Sequence, residues 1–373
     1  MSLDEVDEWA KKHASGATAT TNTDSVFSDA HVVRDQDENP LSSRSYNIAL
    51  APQFIHAKSE LISQLVSSKA FRQIEFLAVG SFFVLQPASS ITAQPSLARI
   101  PSTREDVFSN TSIPARAKRS LMKFLKFVLD FEADANLETW KPHAARPLTD
   151  FLSSEFKLDE SLRAYVVALT LSNDGKISVE NGLGAIHRHM TSTGIFGAGF
   201  AAVYPKWGGL SEIAQVGCRA LAVGGAVYML GTGIKDVVEK SSDDESDPTK
   251  LEIMLDNDIT VRTKRLIKSA DQRTSESPCL RRLTAVVDSK LLSLFETVVE
   301  GAPPSAVAVV AFPQGSTRIQ DSTFAYPIYA MAHSSITGEC PNGQSKWRQS
   351  LAPALNVSCA SMMIFFKLLI YIV

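Results

Sequence analysis

Cysteine is scarce: the 373 residues contain four, Cys218, Cys279, Cys340 and Cys359. No two share a C-x-x-C spacing, which excludes a zinc ribbon or a disulfide framework and suits a reducing compartment. Neither sign of charge dominates. Lys plus Arg number 37 against 40 Asp plus Glu, a net charge of −3, so nucleic acid has no electrostatic case as a partner. Residues 1–18 lack the apolar core of a signal peptide, which points to the cytoplasm and leaves the sequons at Asn110 and Asn356 without meaning. The terminal run Ser361–Val373 is 13 residues long, short of the roughly 20 that span a bilayer. A soluble protein ends this way when the run docks in a groove or anchors to a membrane.

Recognisable catalytic chemistry is also missing. Gly194, Gly197 and Gly199 do not open a helix in G-x-G-x-x-G order, nor do Gly224, Gly225, Gly231 and Gly233, and no phosphate-binding loop or G-x-S-x-G elbow occurs. On a helix His187 and His189 diverge by about 200°, so they cannot chelate one ion and read as surface histidines. These absences predict a binding protein with no cofactor and no metal, not an enzyme.

What is present is a 45% hydrophobic chain with 21% charge, ordinary for a core-forming protein. Residues 1–45 form a polar arm, expected to be mobile because the Ser, Thr, Asp and Asn of 14–45 cannot bury enough apolar area. From Tyr46, Leu61, Ile62, Leu65 and Val66 mark a helix, and Ile74–Leu85 (IEFLAVGSFFVL) reads as one or two buried strands. Residues 105–199 carry four amphipathic stretches: Arg116–Phe131, Pro147–Leu158 with Thr149 or Asp150 as cap, Leu158–Leu171, and Val179–Thr193. Strands return from 200 onward. Ser211 can cap a helix to about Leu221, Gly224–Leu230 reads as a strand, and 236–240 with 251–267 as a meander around the acidic loop 241–250. Leu283–Lys290 and Ser305–Phe312 are further strands. The division is therefore 46–104 with 200–344 as one discontinuous larger domain, 105–199 as a helical insert, and 345–373 as a divergent tail.

One polar pattern stands out. Glu212 and Arg219 are seven residues apart, two turns and about 10 Å along one helix face, with Gln215 between them. Ile213, Val216, Gly217 and Ala220 are free to face the core. The stripe Leu121, Phe124, Leu125 and Val128 is a second candidate surface, although such stripes usually pack against each other as bundle core.

Several stretches resemble the Rab escort protein and Rab GDP-dissociation inhibitor family, in its escort branch and of fungal type. Tyr46–Lys69 is similar to the family's N-I-D-L-x-P segment and the helix after it, with Ala49 in place of the usual Asp. Arg119–Phe131 is similar to its L-M-K-F-L helix. Tyr204–Leu230 (YPKWGGLSEIAQVGCRALAVGGAVYML) is similar to its signature Y-P-x-x-G … E-x-x-Q-x-x-x-R … G-[GA]-x-Y-x-L, with Ile213-Ala214 in place of Leu-Pro. Asp321–Gln344 fits a late strand region. The resemblance implies an α/β (α+β) fold: a flavoprotein-monooxygenase-like larger domain, here incomplete because the family's opening glycine motif is not in the sequence, with an inserted all-helical smaller domain. It implies binding of GDP-bound Rab GTPases through Glu212, Gln215 and Arg219 and presentation to the Rab geranylgeranyl transferase heterodimer. It further implies a groove for the geranylgeranyl lipid or a transferase-docking face near Leu121, Phe124, Leu125 and Val128, and transient membrane contact. The alternatives are a Rab GDP-dissociation inhibitor that recycles prenylated Rabs, a flavin-dependent oxidoreductase, which the missing glycine fingerprint disfavours, and a protein anchored by the Ser361 tail.

Overall fold

The structure is a computed structural model that describes residues 1–14, 27–34, 42–86, 95–101, 107, 114–197, 199–239, 251–267, 280–297, 300–302, 304–316, 318–319, 322–323 and 326–351. The acidic loop 241–250, Cys279, Cys359, Asn110, Asn356 and the run 361–373 lie outside the described residues. The chain divides into two compact units, Met1–Glu8 with Val33–Val216 and Pro278–Val373, and Trp9–Val32 with Gly217–Ser277.

In chain order the elements are α1 (Leu3–Lys12), β1 (Ile55–His56), α2 (Glu60–Ser67), β2 (Phe76–Gln86) and β3 (Ser96–Arg99). The helices α3 (Ala115–Leu129), α4 (Asp134–Trp140), α5 (Leu148–Phe156), α6 (Glu160–Thr170) and α7 (Val179–Ser192) follow. Next come β4 (Ala202–Pro205), α8 (Leu210–Val223), β5 (Ile234–Glu239), β6 (Leu251–Leu255) and β7 (Thr260–Thr263). The chain continues with β8 (Arg281–Val287), β9 (Val307–Phe312), β10 (Arg318–Ile319), β11 (Ser322–Thr323), β12 (Ile328–Ser334) and β13 (Ser345–Leu351).

The first unit is built on an eight-stranded sheet of order β1-β4-β2-β9-β12-β13-β8, with β3 on β2. Its pairs are antiparallel except β2 with β9, which run parallel. β9 is buried on both sides because its residues alternate between two cores: Val307, Val309 and Ala311 join the helices, while Ala308, Val310 and Phe312 meet Ile328, Ala330 and Trp347. The β2–β9 register shifts between Val79 and Phe82. Gly80 in that shift admits no side chain, since a Cβ there would lie 1.9 Å from Ser305 Oγ.

The helices fill the first of these cores. Phe124, Phe151, Leu152, Leu183 and Ile186 are almost wholly buried. Asp159 caps α6 by accepting from the Leu162 amide at 2.9 Å, and Ser178 caps α7 through the Asn181 amide at 3.4 Å. α5 begins instead after Pro147, so neither Thr149 nor Asp150 caps it. In the second unit β5-β6-β7 form a three-stranded antiparallel meander.

The sequence reading differs from the structure in several places. The amino-terminal arm holds a ten-residue helix, α1, with Asp4 and Glu5 in its first turn and Lys11 and Lys12 in its last, the charge order that a helix dipole favours. Residues 224–230 form no strand and are exposed. The chain turns at Gly225 with φ 90°, and Tyr228 donates its hydroxyl to the Cys218 carbonyl at 2.9 Å, so no ladder partner takes up this backbone. Residues 345–351, assigned above to the tail, are β13, inserted between β12 and β8. His189 is buried, not on the surface. It packs edge-on against Phe82 at 4.9 Å and His56 at 5.8 Å, because α7 lies on the sheet. Among the described residues no helix is long and apolar enough to cross a membrane.

Candidate functional site

The site grows from the end of β4. Tyr204 is wholly buried, and its hydroxyl donates to Glu339 Oε1 at 3.0 Å. Burial, together with the neighbouring carboxylate, pushes the phenol far above its ordinary pKa. Glu339 is itself wholly buried among His333, Lys346 and Arg348. Arg348 Nη2 donates to Glu339 Oε1 at 3.0 Å, and His333 Nδ1 lies 2.7 Å from Glu339 Oε2. Burial opposes the charged form of Glu339, but His333, Lys346 and Arg348 outweigh it and hold the carboxyl well below the usual range. For Lys346 burial wins over the attraction of Glu339, lowering its pKa to about 7.

Above this ionic knot the chain turns sharply. The Trp207 amide donates to the Thr337 carbonyl at 2.8 Å, and its φ of 76° is left-handed, a costly conformation for a bulky side chain. The indole stands on Gly338, where a Cβ would come within 2.3 Å of the ring, and still remains 52% exposed. Lys206 Nζ lies 4.9 Å from the ring centroid and also bonds Glu75 at 2.9 and 3.0 Å. Gly209, at φ 63°, closes the turn over Tyr204, since a Cβ there would meet the phenol oxygen at 2.7 Å. Asn47 clamps the turn by donating to the Trp207 carbonyl. Its own amide donates to the Glu339 carbonyl at 3.0 Å, and its carbonyl accepts from Lys346 at 2.5 Å.

From this clamp α8 departs. Leu210 and Ile213 pack against Ile55, Ala78, Phe200 and Val203, and Val216 is buried, whereas Gly217 and Ala220, expected to be free to face the core, are exposed. Ser211 does not cap the helix but donates to the Gly208 carbonyl at 2.9 Å from its first turn. Glu212 is half-buried and accepts from Gln215 Nε2 at 3.2 Å, while Gln215 is exposed. Both belong to the first unit. Arg219 is exposed on the part of α8 that belongs to the second.

The second candidate stripe lies elsewhere in the first unit. Leu121, Phe124 and Val128 are buried in the helical core and Leu125 packs against it. Leu121, Phe124 and Leu125 line a cavity of about 30 Å³ with Leu162, Tyr165 and Leu169, room for a few atoms only; Val128 is not among its lining residues. Trp207, Asn47 and Glu339 were invisible to spacing. Trp207 sits inside the quoted Y-P-K-W-G-G block, but its exposure follows from Gly338, far away in sequence.

A family model described as GDP dissociation inhibitor matches residues 6–269. The Rab proteins geranylgeranyltransferase component A of Saccharomyces cerevisiae is 27% identical over 355 residues, 93% of this chain and 54% of that protein. The protein of the same name from Candida albicans is 27% identical over 338 residues, 87% of this chain and 49% of that one. This chain thus spans about half the length of these curated relatives. Among solved structures, Rab GDI from Plasmodium falciparum superposes with a TM-score of 0.64 at 16% identity, covering 88% of this chain and 72% of its own. An oxidoreductase from Methanosarcina mazei superposes with 0.52 at 12% identity, covering 87% and 74%. Such likenesses speak for the fold alone, a mixed α/β architecture shared with both of these structures. With more than half of the chain matched and the signature turn and helix in place, this chain belongs to the GDP dissociation inhibitor family.

Proposed function

We propose that this chain serves as a Rab escort component. It binds GDP-bound Rab GTPases in the cytoplasm and presents them to the Rab geranylgeranyl transferase heterodimer. It then chaperones the prenylated product to membranes, which it contacts transiently. It is an accessory, non-catalytic component. The observation that carries this reading is the turn of 204–209, clamped by Asn47 and the Glu339 knot, from which α8 presents Glu212 and Gln215. Arg219, in the second unit, is taken with them on sequence spacing, seven residues after Glu212. A platform that engages the switches of the GDP state more tightly than those of the GTP state shifts the population by that difference in affinity.

The lipid follows from solvation. Each buried CH₂ gains about 0.8 kcal/mol, so a prenyl chain seeks an apolar site. The cavity beside Leu121, Phe124 and Leu125 is the candidate mouth, and seating a chain there requires the helices to part. Val128, being core, acts by holding α3.

The test is a pull-down of GDP-loaded Rab with Glu212→Ala and Arg219→Ala combined. Loss of binding with an unchanged melting temperature is expected; retention at wild-type level contradicts the platform. A recycling GDP-dissociation inhibitor would bind the same Rab state, and stimulation of transferase on unprenylated Rab separates the two, because an escort component alone stimulates it.

A further inference from the structure

The outer face of α3 is not explained by anything above. The helix reads ARAKRSLMKFLKFVL and contains no acidic residue. At about 100° per residue, Arg116, Arg119, Lys123 and Lys126 fall within an arc of about 80° and along about 15 Å of the axis. All four are exposed, on the side opposite Leu121, Phe124 and Val128. Among the described residues none of the four enters an ion pair; Lys123 instead lies 5.8 Å from the centroid of the Phe156 ring.

The ridge also breaks a local rule. Arg116 and Arg119 occupy the beginning of the helix, where the dipole disfavours cations, and Pro114 provides no side-chain cap to offset them. The other helices of this bundle place acids early: Asp134 in α4, Asp150 in α5, Glu160 in α6 and Glu180 in α7. A sequence that forgoes this stabilisation in one of the described bundle helices and keeps it in the other four points to a use for the charge.

We infer that the α3 ridge adsorbs this protein to a bilayer carrying anionic lipid headgroups. A protein partner would need a packed interface with an aromatic or aliphatic anchor at its centre, and the ridge offers none: Leu129 at 37% is the one large apolar residue of α3 in the exposed class, while Met122, Leu125 and Phe127 are half-buried. A bilayer needs no shape match, only cations in line. Each Lys or Arg near an anionic surface strengthens adsorption about fivefold, so four give an upper bound of several hundredfold, enough for reversible and not for permanent attachment. The inference rests on the proposed escort role for its purpose, since a carrier of a prenylated cargo must meet a membrane, but its evidence is separate.

The experiment is sedimentation of the full chain with phosphatidylcholine vesicles, with and without phosphatidylserine, for the wild type and for R116Q/R119Q/K123Q/K126Q. Glutamine keeps the helix propensity, and circular dichroism checks the fold. Expected are wild-type binding to the phosphatidylserine vesicles alone, weakening as salt shortens the Debye length, and at least a tenfold loss in the variant. Equal sedimentation with both vesicle types, background binding throughout, or a variant indistinguishable from wild type overturns the inference; background binding is the result expected of a ridge built for an acidic protein. Binding of GDP-loaded Rab is measured on the same samples. Its failure in the wild type counts against the escort reading and leaves the vesicle result standing.

Discussion

Two buried regions of the first unit are made in opposite ways. The helical bundle of 115–192 is closed by Phe124, Phe151, Leu152 and Ile186, side chains whose contacts are non-directional. The end of the sheet under Trp207 is closed by Tyr204, His333, Glu339, Lys346 and Arg348, whose contacts hold only at particular distances and angles. The bundle tolerates exchange of one apolar residue for another of similar size. The knot does not, and in return it fixes the turn from which α8 leaves. The scaffold of the candidate site is therefore the polar region, and the two should respond differently to substitution.

The largest effect is expected for Glu339→Ala. It leaves Lys346 and Arg348 buried without their carboxylate, a loss of about 3–5 kcal/mol, read as a fall in the urea midpoint, and Rab binding should go with it. Glu339→Gln, which keeps an acceptor for Tyr204, should lose less. Trp207→Ala removes the exposed indole and should weaken Rab binding by about 2–3 kcal/mol in calorimetry, with the urea midpoint unchanged. Gly338→Ala should weaken binding likewise by displacing the ring, since no space remains for the Cβ, and should also lower the urea midpoint, because its φ of 73° costs an alanine about 1 kcal/mol.

A smaller effect concerns acid. Burial lowers the pKa of His189 to about 3, with the nearby His56 adding to the shift. Its folded-state pKa lies below the ordinary 6.5 of the unfolded chain, so falling pH favours the unfolded state. Its contribution is complete above pH 6.5 and is lost progressively as the pH drops from there toward 3. Between pH 7 and 5 this amounts to about 2 kcal/mol, so His189→Leu should lose that much less stability than wild type over the same interval. The smallest effect is expected for Phe124→Leu in the bundle, about 1 kcal/mol, with binding of unprenylated Rab untouched. A large binding defect there would erase the contrast between the two regions.

The same contrast explains what was legible in the sequence. Helices with an apolar stripe, such as α3, α6 and α7, follow from spacing because each side chain reports its own burial. β2 and β9 follow from their β-branched runs. The polar closure was not legible, because Tyr204 and Glu339 are 135 residues apart and nothing local marks either as a partner. Lys346 and Arg348 are charged residues in a strand that sheet pairing buries, so β13 read as a tail. His189 read as a surface residue because a lone histidine gives no sign of which helix face meets the sheet. For 224–230, β propensity suggested a strand, and the absence of a ladder partner decided otherwise. Helix geometry alone sets Glu212 and Gln215 on one side, as their hydrogen bond shows; the exposed Trp207 is not legible, because its platform, Gly338, comes from another part of the chain.

The proposed platform must distinguish nucleotide states. The most direct measurement is the affinity of the full chain for one Rab loaded with GDP and then with a non-hydrolysable GTP analogue, for wild type and for Glu212→Ala with Arg219→Ala. The wild type should prefer the GDP form by at least tenfold, about 1.4 kcal/mol, and the double variant should lose this preference. Equal affinity for the two states in the wild type, or a preference that survives the double substitution, would contradict the proposed platform.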